Sequence, residues 1–572
     1  IGLMIHGGAS RDFDLKSLRI VMRSGYGAGE IDYPVFPNEP VTEFKRLVFR
    51  NGGHDFLQGH LRDALINGLA NQAGVDSMAY RPAMAYLNGE YWGIYNMRER
   101  PDEFNMGIYH DVEPDEIDLL EWDGNVVEGS NTHYLEMMTF LRTCDPSDPA
   151  NWEYIQTQID VEAFVDYEVF QIQMGNYDWP GNNLKYWRPQ AEDGKWRWIM
   201  YDTDAGLGNW GMSWSYDFVY FALDPSGPGW PNPPYSTELL RLLVGFSEFS
   251  QIFINRYADW LNTVLSPEES VALLNSYADV IRPGMTDHTN RWGSSLSSWE
   301  SSVDAMEDWI NYRENISFQD IAGYFGAGST YYLTLVADPP EAGNFQLNAI
   351  EVASDFTGRY FRNNPVPVTA VPNPGYIFTG WSDGWGDEAQ VTVSDTGDVT
   401  LVANFDEMPG LNVVINEINY HSPDDFDPGD WVELINNGDE LVELAGWIFS
   451  DGDEDIYLFP EGSLLPGGGF IVIAQDPVAF SSLFPDVPAG SVVGGFDFSL
   501  SNSGENLEIW RTDGVMQDEV PYTDGVPWPF LADGGGPTLE LLDSTLDNSQ
   551  PINWRDSIVS YGTPGEANSV TP

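Results

Sequence analysis

The reading of this chain turns on two neighbouring stretches. They are Asn176-Tyr177-Asp178-Trp179-Pro180-Gly181-Asn182-Asn183-Leu184-Lys185-Tyr186-Trp187 and Trp196-Arg197-Trp198-Ile199-Met200-Tyr201-Asp202-Thr203-Asp204-Ala205-Gly206. Asp178 and Asn183 stand five residues apart on a Pro/Gly turn. A short strand is expected from Leu184 to Trp187, then a turn at Glu192-Asp193-Gly194, then an apolar strand ending in two carboxylates and a glycine. Polar groups at strand ends are aimed by a rigid scaffold. An Asp, an Asn five residues on and a further Asp after a hairpin are the parts phosphoryl transfer requires: a base for the attacking hydroxyl and oxygen ligands for a divalent cation. Read alone, Asp178 and Asn183 are also an acidic hairpin with solvated turns. The tandem with Tyr201-Asp202-Thr203-Asp204 weighs against that plainer reading.

Asp202 and Asp204 flank Thr203 at an expected strand end, and alternate residues of a strand face one side. Both carboxylates would then meet one metal, with Asn183 adding an oxygen. Hard oxygen donors, with no thiolate or histidine cluster, suit Mg²⁺ or Mn²⁺. Upstream, the turn His6-Gly7-Gly8-Ala9-Ser10-Arg11 lies between expected strands Ile1–Ile5 and Leu15–Met22, the second containing Lys16. Glycines let backbone amides approach phosphate oxygens, and a lysine adds a point charge. Taken alone, a plain Gly-Gly hairpin turn is the default reading. The phosphate loop that ends in Gly-Lys-Ser/Thr is absent, as are HExxH and GxSxG. Asp451-Gly452-Asp453-Glu454-Asp455 lacks the spacing of a calcium loop and reads as a solvated turn.

At 572 residues, with 42% hydrophobic and 14% aromatic content, the chain holds more than one folded domain. Its 89 acidic and 25 basic residues give a net charge of −64. Such a surface repels nucleic acid and anionic membranes and suits a marine or high-salt setting. Eleven of the 25 basic residues lie in positions 1–100, and only Arg359, Arg362, Arg511 and Arg555 follow residue 330. Ion pairing explains that excess, and so does a phosphate-binding lobe. Cys144 is the only cysteine, which excludes an intrachain disulfide and a thiolate metal site. No apolar run is long enough to span a bilayer. The opening at Ile1, inside an apolar run, reads as that of a fragment or processed form.

Helical spacing marks Leu61–Ala73 with a stop at Gly74, a continuous stretch over 151–175, and Leu239–Phe253, Phe253–Leu265, Glu268–Ile281 and Ser298–Ile316. Arg81–Leu87 and Tyr91–Met97 form a hairpin around Asn88-Gly89. The first block, to residue 325, is therefore α+β. From 330 to 406 only alternating strands are expected, a small all-β module. After Asp406-Glu407-Met408-Pro409-Gly410 a second run of short strands, 411–568, reads as a β-sandwich.

Five phrases in order make residues 1–325 resemble the spore-coat protein CotH kinase family. They are Ile5–Arg11 with Lys16-Ser17-Leu18-Arg19; Leu61-Arg62-Asp63-Ala64 with Gly74; Tyr86–Tyr95 with Arg98-Glu99-Arg100; Asn176-Tyr177-Asp178 with Asn183; and Trp198 with Tyr201-Asp202-Thr203-Asp204. The resemblance implies an atypical protein-kinase-like fold that transfers phosphate from ATP to Ser/Thr of secreted or surface proteins. It implies Asp178 and Asp202 as catalytic residues, with Asn183, Asp202 and Asp204 on the metal. It implies Gly7, Gly8, Ser10, Arg11, Lys16 and Glu99 around the nucleotide. The family pattern has Trp-Asp where this chain has Tyr201-Asp202, a change that removes no ligand. Residues 330–406 resemble the divergent bacterial β-repeat of internalin-type proteins, through Gly375–Ser382 and Val402–Phe405. Residues 411–568 resemble a lamin-tail domain, an immunoglobulin-like sandwich, through Val414–Ile418, Asp430–Leu434, Leu444–Trp447 and Leu500–Glu505.

The expectation is a secreted or surface-located bacterial protein kinase with ATP and Mg²⁺ or Mn²⁺ as cofactors. Its partners would be Ser/Thr-bearing proteins, itself included, with β modules that bind cell-surface or matrix components. A surface adhesion protein with a non-catalytic kinase-like domain is the rival. A carbohydrate-cleaving enzyme built on carboxylate pairs has no motif to anchor it.

Overall fold

Five antiparallel strands gather the basic N-terminal residues onto one sheet: β1 (Gly2–Ile5), β2 (Leu18–Val21), β3 (Arg46–Arg50), β4 (Tyr80–Leu87) and β5 (Glu90–Arg98), in the order β1-β2-β3-β5-β4. The computed structural model describes residues 1–571 except 192, 225–231, 234, 395–396, 408–412, 424–425, 453–454 and 513. Register pairs Met4 with Arg19, Arg19 with Val48, and Val48 with Arg98, so these four share one face. Asn88 (φ 52°) and Gly89 (φ 83°) both sit in the left-handed region, the backbone of a type I′ turn, and they join β4 to β5.

A second sheet, in the order β9-β8-β6-β7, is made of β6 (Ile117–Glu121), β7 (Asn125–Glu128), β8 (Lys185–Pro189) and β9 (Arg197–Trp198). The longer helices of this block are α1 (Arg62–Gln72), α2 (Val161–Gln173), α3 (Ser247–Asn262), α4 (Pro267–Trp292) and α5 (Leu296–Phe325); α1, α2 and α4 pack on the sheets, and α3 and α5 pack behind them. The helix expected over 151–175 is two helices, Pro149–Gln158 and α2. Ile159 turns extended and bridges to Trp196, and the Asp160 carboxylate caps α2 by accepting the amide of Ala163. Helix α4 runs on past the expected Ile281 through Pro283 to Trp292. Gly284, next to Pro283, packs so close to Met84 and Ile94 on β4 and β5 that a Cβ would lie 2.8 Å from Met84 Cε.

The second apolar strand is shorter than expected. After Trp198 the chain leaves the sheet, and the Met200 amide bonds to Asp76 O at 2.7 Å. Tyr201–Asp204 is thereby loop, with Asp202 at φ 54°. The Glu192–Gly194 turn includes a residue outside the described set.

The strands from Thr330 to Glu407 form two four-stranded sheets whose core is continuous with that of the helical block. Phe318 on α5 meets Phe361 with ring centroids 5.5 Å apart. Buried Asp259 on α3 accepts hydrogen bonds from Asn348 Nδ2 (2.8 Å) and Tyr360 Oη (2.9 Å), and burial pushes its carboxyl up to about 7. Residues from Val413 to Asp556 form a six-stranded and a four-stranded sheet around a separate hydrophobic core. Met408–Gly410 of the expected linker, and Asp453 and Glu454 of the acidic turn, lie outside the described residues.

That last unit carries a row of three buried glutamates. Glu417 pairs in register with Glu433 on one side and Glu540 on the other. The closing segment of the chain covers them. Thr563 N and Thr538 Oγ1 donate to Glu417, Gly565 N donates to Glu433, and Thr563 Oγ1, Ser569 Oγ and Val570 N donate to Glu540.

Candidate functional site

A cleft of about 660 Å³ opens between the two sheets. Its roof is the Arg19/Val48/Arg98 face of the first sheet, continued by Arg50 at the end of β3. Its floor is the loop between α2 and β8 together with the loop after β9. Asp178, Asn183, Asp202 and Asp204 all line it, as do His6, Gly7, Gly8, Ser10 and Glu99.

Asp178 is held in place by amides. Asn182 Nδ2 donates to Asp178 Oδ1 at 2.8 Å, and Asn183 Nδ2 donates to Asp178 Oδ2 at 3.1 Å. Asn183 also donates to the backbone oxygen of Asp202 at 3.0 Å, so it ties the two loops together. Asn183 itself adopts φ 56°, a region that asparagine tolerates best among residues with a side chain. Burial, and then the Asp202 charge, raise the Asp178 carboxyl above its ordinary range.

Asp202 and Asp204 do not share a strand face, and their environments differ. The Asp202 side chain is 39% exposed to the cleft. Asp204 is buried, and its oxygens are engaged: Oδ2 accepts from Arg50 (2.9 Å) and from the amide of His54 (3.1 Å), while Oδ1 lies 3.6 Å from His54 Nδ1. Burial and the neighbouring Asp202 raise the Asp204 carboxyl, and the hydrogen bond to Asp204 raises His54. The loop Gly52-Gly53-His54 makes this approach possible. Gly53 has φ 58°, and a Cβ there would lie 1.7 Å from Asp204 Oδ2.

The central cation is Arg50, which the motif reading missed. Its guanidinium pairs with Asp202 and Asp204 and lies 3.2 Å from Asp63 Oδ2 on α1. Burial lowers the Arg50 pKa, but Asp202, Asp63 and Asp204 outweigh it and hold the group charged. Asp63 also accepts Arg98 Nη1 (2.8 Å) and the Thr203 amide (2.9 Å), so one carboxylate ties roof to floor. The signal lay in Arg46-Leu47-Val48-Phe49-Arg50-Asn51-Gly52-Gly53, where period 2 puts Arg46, Val48 and Arg50 on one strand face ahead of two glycines.

Lys16 is not on a strand and does not line the cleft: β2 begins at Leu18, and Lys16 Nζ donates to Arg11 O at 2.7 Å. Arg11 reaches back to Ile5 O. The glycine turn itself does lie at the cleft. Gly7 has φ 108°, and a Cβ there would stand 2.3 Å from Ser10 Oγ, so only glycine fits. His6 is lowered to about 4 by burial and by Arg50, Arg19 and Arg100, a measure of how positive this end is. Lys185, at the start of β8, also lines the cleft; burial lowers its pKa, and its Nζ donates to Pro101 O at 3.1 Å. Glu99 is buried, takes hydrogen bonds from Ala79 N (2.9 Å) and Asn105 Nδ2 (3.0 Å), and is pushed up to about 7 by burial.

The cleft thus sets an arginine-lined roof over an Asp/Asn/Asp floor. The CotH kinase protein family model matches residues 3–316, more than half of the chain, and the chain belongs to that family. The divergent InlB B-repeat domain matches residues 351–409 and the lamin tail domain residues 407–524. No curated protein matches the chain. Among solved structures, a DUF4876 family protein from Bacteroides thetaiotaomicron is 12% identical over 42% of this chain and 95% of that one. Its TM-score of 0.19 carries no weight for fold or function.

Proposed function

We propose that the protein is a secreted or surface-located kinase that passes the ATP γ-phosphate to Ser/Thr hydroxyls of other proteins or of itself. The observation that supports this most is the convergence of Asp178, Asn183 and Asp202 on one cleft beneath an arginine-lined roof. The donor set fits Mg²⁺ or Mn²⁺: carboxylate and amide oxygens, with no sulfur. The tight Gly7 turn and the positive field around His6 fit a polyphosphate.

Asp178 accepts the proton of the acceptor hydroxyl, and Asn182 and Asn183 orient it. Asp202 and the Asn183 oxygen would hold the metal. Asp204, whose oxygens are held by His54 and Arg50, positions Arg50 rather than taking a metal directly. Arg50, Arg98 and Lys185 offset phosphate charge in place of the expected Lys16. A bound metal would neutralise charge on the transferring group. Two appended β modules also fit the rival reading, a surface protein whose domain binds without catalysis.

Incubation with γ-labelled ATP and Mg²⁺ or Mn²⁺ decides between them. Transfer to casein or to the protein itself, abolished in Asp178→Ala and Asp202→Ala, is expected. Absence of transfer by the unaltered protein, or equal transfer by both variants, overturns the kinase reading.

A further inference from the structure

Glu168, on α2, is a carboxyl that the cleft does not use. It is 4% exposed. Other buried glutamates are satisfied: Glu417 accepts from Thr538 and Thr563, and Glu99 accepts from Ala79 and Asn105. Among the described residues Glu168 Oε2 has no hydrogen-bond partner, and no ion pair reaches the group. Burial alone raises its carboxyl well above the ordinary glutamate range. A buried acid left in this state weighs against folding until a donor or a cation reaches it.

Glu168 lines a cavity of about 30 Å³ between α2 and the helices Thr132–Leu141 and Glu238–Leu243. That space exceeds what one water needs and is far too small for a nucleotide or a sugar. Its walls are aromatic: Tyr134, Phe164, Trp198 and, at the rim, Trp122, which is 42% exposed. Phe164 lies one turn before Glu168 on the same face of α2, and its ring braces Trp198 with centroids 4.4 Å apart. The Ser236 hydroxyl also lines the cavity, and its oxygen is buried without a hydrogen-bond partner among the described residues. Arg142 reaches the lining too, but its guanidinium donates to both carboxylate oxygens of Glu238 at 2.8 Å. A lone carboxyl among aromatic rings is complementary to an organic cation, which gains Coulomb attraction and cation–π contact together. A divalent metal would want several more oxygen ligands.

We propose that this cavity binds the head of a primary alkylammonium ion, with Glu168 as its counter-ion and the Ser236 oxygen as a further acceptor. A free amine and the lysine side chain of another protein both present that chemistry. The net charge of −64 concentrates such cations at the protein surface. Without a counter-ion the neutral acid is favoured, so entry of the ammonium sends one proton from Glu168 to solvent. The site is distinct from the cleft and does not rest on the kinase reading.

Calorimetric titration of the full chain with n-propylammonium at about pH 8 tests this. The expected Kd is about 1 mM or tighter, and at least about tenfold tighter than that of propanol. Repetition in buffers of different ionisation enthalpy should show about one proton released per ion bound. Glu168→Gln, which keeps the shape and removes the charge, is expected to abolish the proton release and weaken binding at least about tenfold. Glu168→Leu, which replaces the unpartnered acid with an apolar side chain, is a second variant with the same expected loss. Nα-acetyl-lysine methylamide separates the sources: binding as tight as that of n-propylammonium assigns the cavity to a protein lysine, and exclusion assigns it to a free amine. No binding of n-propylammonium, equal binding of propanol, no proton release, or binding that both variants leave unchanged overturns the proposal. None of these readouts uses ATP, so each outcome leaves the kinase reading as it stands.

Discussion

The chain gathers carboxylates in two places and treats them in opposite ways. In the cleft, Asp63, Asp202 and Asp204 surround one buried arginine, and Asp202 keeps an edge open to solvent. In the last unit, Glu417, Glu433 and Glu540 lie side by side and form no ion pair among the described residues, sealed under Thr563, Gly565 and Ser569. Burial and mutual repulsion raise Glu417 and Glu433, so protonation removes the charge that the cleft instead balances with Arg50. Acidic residues close in space therefore do not mark a reactive site by themselves. On the kinase proposal, the counter-charge and open edge suit the first cluster to chemistry, whereas saturation by hydroxyls and amides suits the second to a structural role.

The sharpest break of this contrast is in catalysis. Asp202→Ala is expected to lower phosphate transfer about 10³-fold or more, because transition-state charge loses its metal ligand. The melting temperature should barely change, since Asp202 is the exposed member of its cluster. A comparable loss of transfer from Glu417→Ala would end the distinction between the two clusters. The Asp178 carboxyl is raised, so the acid limb of the kcat/KM profile should lie above the ordinary aspartate range, with activity lost as pH falls through it.

Next in size is the counter-ion. Arg50→Ala leaves Asp63 and Asp204 buried beside Asp202 without their shared cation, and unfolding free energy should fall by about 3–5 kcal/mol. Arg50→Lys should recover part of it. Urea unfolding of the full chain, followed by hydrogen exchange in β3 and α1, measures the loss. Unchanged exchange there would show that the cleft carboxylates are not balanced by Arg50.

The glutamate row responds to pH instead. A carboxyl raised in the folded state stabilises fully below its unfolded value, and that contribution is lost as pH rises through the folded one. Exchange protection of Val413–Asn419 and Trp431–Asn436 should therefore fall as pH rises from about 5 through about 8, where the Glu433 carboxyl loses its proton in the folded state. Glu417→Gln, which keeps the shape and deletes the titration, should flatten that fall at the alkaline end. A slope that Glu417→Gln leaves untouched would place the pH sensitivity elsewhere.

Much of this was legible because it is local. Asn88-Gly89 specifies its turn through two residues that accept positive φ, and Leu61–Ala73 declares its apolar stripe and ends near Gly74. Asp178 and Asn183 are only five residues apart, so the turn between them brings them together. What escaped is non-local. Arg50 meets Asp202 across 152 positions, and no spacing rule reaches that far. The apolar run before it makes Tyr201–Asp204 look like a strand end, yet Met200 leaves the sheet for the backbone of Asp76, a contact invisible in one dimension. The excess of basic residues before position 100 is visible as a number, but only the fold shows that Arg50, Arg98 and Arg100 converge on the cleft.

The smallest expected effect bears on which cation serves that cleft. Proximity in sequence to the glycine turn favours Lys16, and a lysine is the usual point charge for a phosphate. The fold uses Lys16 differently. Its ammonium closes the Arg11 carbonyl and stands outside the cleft lining, whereas Lys185 enters that lining from β8 with its pKa lowered by burial. Lys16→Ala should therefore change the KM for ATP by no more than about threefold and stability by about 0.5 kcal/mol. Lys185→Ala should raise that KM by about tenfold or more, the size of a lost charge-assisted contact. If the order is reversed, the glycine turn must swing Lys16 inward when nucleotide binds, and the roof of the cleft is then a moving part rather than a fixed one.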